Sequence, residues 1–115
     1  MSFQHKMVLI KIPRIIEKLE QNELGENFTT DELLTMTCCC WKVKLERVNQ
    51  YPYAATVIDN KIVAVFKVRK WLLIKEIERC HFIGHFDPVI TSQYKEQDVS
   101  DLYNSSQNPI HYVDI

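Results

Sequence analysis

The sequence predicts an α+β domain: a small, strongly curved or barrel-like antiparallel sheet with short helices at its periphery. Three observations lead there. Residues 51–71, YPYAATVIDNKIVAVFKVRKW, hold two β-branched, apolar runs, Ala54–Ile58 and Ile62–Val68, on either side of Asp59-Asn60-Lys61. Asp and Asn tolerate the positive φ that a tight hairpin turn demands, so the stretch reads as a β-hairpin. Further strand-like runs occur near both ends of the chain, and helix signals are short and irregularly spaced. Regular strand–helix alternation, which a parallel α/β sheet needs, is missing.

In chain order, Lys6–Ile12 alternates as a strand, with Met7 and Leu9 on the face opposite Val8 and Ile10. Pro13 suits a first helical turn, and Ile15, Ile16 and Leu19 follow at helical spacing until Gly25 and Asn27. Thr29-Thr30-Asp31-Glu32 is a helix start, with Thr30 or Asp31 placed to cap and Leu33 and Leu34 on the apolar side. Lys44–Gln50 reads as one or two helical turns with Leu45 and Val48 inward and Arg47 at an edge. After the hairpin come Trp71–Ile74, a charged bend at Lys75–Arg79, and a strand Cys80–Phe86. Phe82, Gly84 and Phe86 share one face of that strand, and His81, Ile83 and His85 the other. Asp87-Pro88 closes it, Ile90–Tyr94 is a short helix, and Ile110–Ile115 is a last strand. The expected count is about five strands and three short helices in one domain, 1–115, with no repeats and no Gly/Ser-rich linker.

A 115-residue chain with 46 % apolar residues can build one real core. Net charge is −1 but unevenly spread: −2 over residues 1–41, +5 over 42–79 and −4 over 87–115. A basic middle between acidic ends hints at a surface that faces a polyanion. The first residues contain an apolar run of only about four and no small-residue cleavage site, so no secretory signal is expected. No window approaches the roughly twenty apolar residues of a membrane span, so no membrane partner is expected. Four cysteines, three of them consecutive at 38–40, do not resemble a disulfide framework, since neighbouring cysteines do not easily bridge. Free thiols in a reducing, cytoplasmic setting are the expectation.

Several chemistries are weakly supported. Only Gly25 and Gly84 are present, which excludes a P-loop or a dinucleotide fingerprint. Cys38, Cys39, Cys40, Cys80, His81, His85 and His111 could converge on a metal, but none forms the short ligand pairs zinc usually needs. On a strand His81 and His85 lie roughly 13 Å apart. No metal and no cofactor is therefore expected. A Cys–His nucleophile has nothing to mark the activated thiol, and Asp59 with Lys61 has the composition of a turn rather than of a Mg²⁺ nuclease. The sequence leaves open whether the protein is an enzyme.

The strongest constellation is aromatic and basic. Trp41, Tyr51, Tyr53, Trp71, Phe82 and Tyr112 lie among Lys42, Lys44, Arg47, Lys67, Arg69, Lys70 and Arg79. Aromatic faces stack on bases while Lys and Arg meet phosphates, which is the recipe for nucleic-acid or nucleotide recognition. The expected site uses Trp41 and Trp71 as stacking or pocket walls, Arg47 and Arg79 on phosphates or base edges, and Asn108 as a polar pocket group. A protein-interaction module, such as a homodimer joined along the hairpin edge or the last strand, is the competing expectation.

The gapped pattern Thr37, Trp41-Lys42-Val43, Arg47, Tyr53-Ala54, Val57, Asn60-Lys61-Ile62-Val63, Val65-Phe66-Lys67-Val68, Trp71, Arg79, Phe82, Gly84, Gln107-Asn108-Pro109-Ile110 and Tyr112-Val113 carries a resemblance. It resembles a family of small prokaryotic and prophage-associated proteins, and modules attached to defence or restriction systems. It is also similar to the PUA-like barrels, the group that includes ASCH and EVE domains. That resemblance implies a β-barrel that binds RNA or modified bases, and it covers residues 37–113. Such sequences tend to carry Thr-Arg-Gly before the Trp, where this chain has Thr37-Cys38-Cys39-Cys40. An arginine contact made there by relatives would be lost.

Overall fold

A computed structural model describes residues 3–12, 29–103 and 108–114. It is an α+β arrangement of five strands in one sheet with helices against both faces. The strands are β1 (Met7–Lys11), β2 (Tyr53–Ile58), β3 (Lys61–Ile74), β4 (Arg79–Phe86) and β5 (Ile110–Val113). The helices are α1 (Thr30–Cys38), α2 (Leu45–Val48) and α3 (Pro88–Tyr94), followed by a 3₁₀ turn at Ser100–Tyr103. The helix expected after Pro13 lies outside the described residues.

The hairpin forms as expected. Asp59 and Asn60 have φ of 52° and 62°, the two positive values a tight hairpin loop requires, and Ile58 pairs with Lys61. β3 runs on to Ile74, well beyond the expected end at Val68, because β4 pairs with it from Phe66↔Phe86 to Ile74↔Arg79.

Two expectations are corrected. The strand order is β4-β3-β2-β1-β5, and no ladder joins β4 to β5 among the described residues, so the sheet is open rather than barrel-like. It is also mixed: β1 lies parallel to β2 (Met7↔Tyr53 to Lys11↔Val57), while the other pairs are antiparallel. A parallel neighbour needs a long crossover, and residues 12–52 supply it. β1 is an inner strand with a core layer on each face, which accounts for the continuous, fully buried apolar run Met7-Val8-Leu9-Ile10.

Val8, Ile10, Ala54, Phe66, Trp71, Cys80 and Phe82 form one core layer with Leu33 of α1 and Val48 of α2. Met7, Leu9, Val57, Ile62 and Val65 form the other with Ile90 and Tyr94 of α3. Each fully buried aliphatic chain contributes roughly 1.5–3 kcal/mol before entropy is counted. α1 starts with a capping box in which Thr29, rather than Thr30 or Asp31, is the cap. Its Oγ1 accepts from Glu32 N at 3.1 Å, and Thr29 N donates to Glu32 Oε1 at 3.2 Å. α1 is fastened to β2 by a buried hydroxyl pair. Thr37 donates to Leu33 O at 2.6 Å, and Thr37 and Thr56 Oγ1 are 2.6 Å apart, so Thr56 supplies the second hydrogen. α3 begins at Pro88 behind Asp87, whose Oδ1 accepts from Ile90 N. Thr91 Oγ1 both accepts from Val65 N and donates to Val65 O, which completes β3 where β4 has ended.

Candidate nucleic-acid interface

The structure separates the expected site residues. Trp71 is 2 % exposed, its ring centroid 5.1 Å from that of Phe82, and its backbone N–H donates to Asn49 Oδ1 just after α2. Its indole is a core anchor, so the expectation that it walls a binding pocket is corrected. Phe66 and Trp71 are five residues apart, which simple alternation would place on opposite faces. The irregularity between Val68 and Lys70 shifts the phase by one and turns Trp71 into the same layer, opposite Phe82.

Trp41 is half-buried beside the same layer. Its backbone exchanges two hydrogen bonds with Cys80 (2.9 and 2.8 Å), and its indole N–H donates to Thr37 O at 2.8 Å. With its polar edge satisfied internally, the ring's exposed part is what remains for a ligand. Arg79 precedes Cys80 on β4 and donates to Glu78 O at 3.2 Å. Asn108 lies before β5, and its Oδ1 accepts from Ile110 N at 3.0 Å, the geometry of a turn. Tyr112 is two residues from the other end of that connection, roughly 13 Å along an extended chain.

Arg47 is the residue around which a site does assemble. The first turn after Lys44 sets Val48 inward and leaves Arg47 half-exposed. Its guanidinium carbon lies 3.9 Å from the Tyr112 ring centroid, and Nη2 is 4.0 Å from Asp114 Oδ2. Tyr112 and Asp114, two residues apart at the end of β5, point to the same side, which is why one arginine reaches both. Tyr51 joins them: its hydroxyl donates to Asp114 Oδ1, its ring is 5.1 Å from that of Tyr112, and Lys6 Nζ sits 5.1 Å from its centroid. Burial pushes the Tyr51 phenol up, the hydrogen bond to Asp114 adds to this, and Arg47 opposes it. Burial likewise raises Tyr112, against Arg47. Lys6, Tyr51, Tyr112 and Asp114 lie outside the expected site, although Tyr51 and Tyr112 belong to the aromatic and basic constellation. The same-face spacing of Tyr112 and Asp114 was the signal available, but nothing in the sequence pairs it with Arg47.

Catalytic alternatives find little support. Burial raises both free thiols, Cys38 and Cys80, the opposite of an activated nucleophile. Contrary to the expectation of four free thiols, Cys39 and Cys40 are bonded to each other as α1 gives way to extended backbone. Among the described residues, no group of three or more His, Cys, Asp or Glu is placed to hold a metal ion. A cleft of about 280 Å³ beside β5 is lined by Asp98, Asp101, His111 and Asp114, a set that repels rather than attracts phosphate. No helix among the described residues is long and apolar enough to cross a membrane. Set against protein-family models, curated proteins and solved structures, the chain matches none.

Proposed function

We propose that this protein is a non-enzymatic nucleic-acid or modified-nucleotide binder that works in the cytoplasm. The single observation that carries the reading is the Arg47 guanidinium carbon 3.9 Å over the Tyr112 ring centroid while about half of its side chain stays open to solvent. A guanidinium held this way offers its outer face for base stacking and its N–H groups for phosphate. The ion pair with Asp114 is long and solvent-exposed, so it competes weakly. Lys42 and Lys44 stand exposed on the same segment and add charge. The PUA-like relationship belongs to this proposal. An α+β sheet with flanking helices supports it only in outline, because the described strands form an open, mixed sheet.

Titration of fluorescent single- and double-stranded oligonucleotides at several salt concentrations tests it. Affinity that falls with salt, and falls at least about tenfold in Arg47→Ala, is the expected result, in line with roughly 1–3 kcal/mol for a stacked contact. Salt-independent or absent binding of RNA and DNA overturns the proposal. A homodimer is the second reading, favoured by the half-exposed Leu73 and Ile77 close together on β3 and its turn. Light scattering of a gel-filtered sample separates the two.

A further inference from the structure

β3 and β4 together contain five Lys or Arg (Lys61, Lys67, Arg69, Lys70, Arg79), two His and no Asp or Glu. Pairing of β3 with β2 ends at Lys67↔Tyr53, and Val68 N makes a last bond to Pro52 O. From Arg69 onward β3 therefore has only β4 beside it in the sheet, and the two continue as a ribbon to Ile74↔Arg79, with Asn49 at the Trp71 N–H on one edge and Trp41 bridged to Cys80 on the other. One face of the ribbon is core: Trp71, Cys80 and Phe82 pack towards α1 and α2. The register places the other residues on the opposite face as Lys67↔His85, Lys70↔Ile83 and Leu72↔His81. Arg69, at the irregularity between Val68 and Lys70, is exposed, as are Lys70, Ile83 and His85.

We infer that this outward face is a docking surface for B-form duplex DNA, entered through the major groove. The inference rests on the nucleic-acid reading above but uses a different surface. Charge complementarity selects a polyanion, since no carboxylate lies on either strand and the nearest ones are at the ends. Asp87 is occupied in capping α3, Glu76 and Glu78 sit in the turn, and Asp98 lies beside Lys61 at the far end. Shape selects the duplex. Two strands about 4.8 Å apart with their side chains fit a groove about 12 Å wide, and six residues span roughly 20 Å, about six base pairs. Chemistry offers single strands no large open ring: Tyr53, opposite Lys67 on β2, has the Lys67 Nζ 4.7 Å over its ring, and beyond it the rings on this face are the His81 and His85 imidazoles. Phe66, Trp71, Phe82 and Phe86 all belong to the core layer, while Leu72 and Ile83 supply apolar contact of the kind thymine methyl groups accept. The deep, narrow major groove of A-form RNA would not admit the ribbon.

Fluorescence anisotropy with a 20-base-pair DNA duplex, the same sequence as duplex RNA, and one strand alone tests the assignment at ~0.05–0.3 M salt. Duplex DNA should bind at least about tenfold more tightly than the other two. Lys67→Gln/Lys70→Gln should lower the salt slope by about 2 and weaken binding on the order of 30-fold near 0.15 M salt, the effect of two lost phosphate contacts. Arg69→Gln/His85→Gln, a second variant of exposed positions, should also weaken it, and Lys95→Gln past α3 should not. Circular dichroism of each variant guards against misfolding. Unchanged duplex binding in both ribbon variants overturns the assignment, as does a preference for the single strand. If Arg47→Ala alone weakens binding, the ribbon assignment falls and the proposed function stands. If no nucleic acid binds at all, both fall.

Discussion

The guanidinium of Arg47 lies 3.9 Å above the ring of Tyr112, a residue 65 positions later in the chain. The contact joins α2 to β5, one of the two edge strands, and Tyr51 and Asp114 complete it. Truncation of Arg47 should therefore have two readouts. Nucleic-acid affinity should drop at least about tenfold. Stability should fall by no more than about 1 kcal/mol in urea titration, the value of a cation–π contact at an exposed site. A large stability loss with unchanged binding would mark Arg47 as purely structural.

The two tryptophans should separate cleanly. Trp71→Ala empties a fully enclosed site and should cost about 3–5 kcal/mol of unfolding free energy by denaturant titration. Trp41→Phe should cost less, since the backbone bridge to Cys80 is retained, while lowering nucleic-acid affinity. Equal destabilisation by both changes would remove Trp41 from the site.

Gly84 is required by close approach. A Cβ there would sit 2.4 Å from the Lys67 carbonyl oxygen and 3.2 Å from its carbon, both backbone atoms of the neighbouring strand. Gly84→Ala must push β4 from β3, with an expected loss of about 1–3 kcal/mol in thermal or chemical unfolding. A variant as stable as the parent would show that the strands can separate freely at this point.

Thr37 and Thr56 form a closed pair. Thr37→Val leaves the Thr56 hydroxyl buried without its partner, at a cost of about 1–3 kcal/mol, whereas Thr37→Val/Thr56→Val removes both polar groups. The double variant should recover part of that loss. A double-mutant cycle with zero coupling would contradict the hydrogen bond.

Stability should fall at alkaline pH. Burial raises Cys38 and Cys80 above 9.0, and Tyr51, Tyr103 and Tyr112 above 10.0. The folded protein then holds protons that the unfolded chain releases. Their stabilisation is complete below about pH 9 and is lost as pH rises through the raised folded values. Denaturant midpoints at pH 8 and pH 10.5 check the sign, and a higher midpoint at pH 10.5 would contradict it.

Local chemistry made much of the fold legible. The Asp59-Asn60 turn, the alternation of Cys80–Phe86 and the inward Val48 all follow from dihedral preference and side-chain period, which neighbours in the chain decide. The opening strand shows where that stops. Met7–Ile10 is apolar at every position, a sign of burial on two faces, yet which strand lies beside it depends on a crossover whose route no local pattern encodes.

The sequence by itself determined the hairpin, the positions of the strands, and the clustering of basic charge in the middle of the chain, because these depend on residue type and short-range spacing. Only the tertiary structure decided which tryptophan is enclosed, which aromatic ring receives Arg47, and which face of β3 and β4 collects lysines without a carboxylate. The physical reason is that burial and cross-strand register are properties of the packed sheet. A one-residue change of pairing would turn every one of those side chains to the other face.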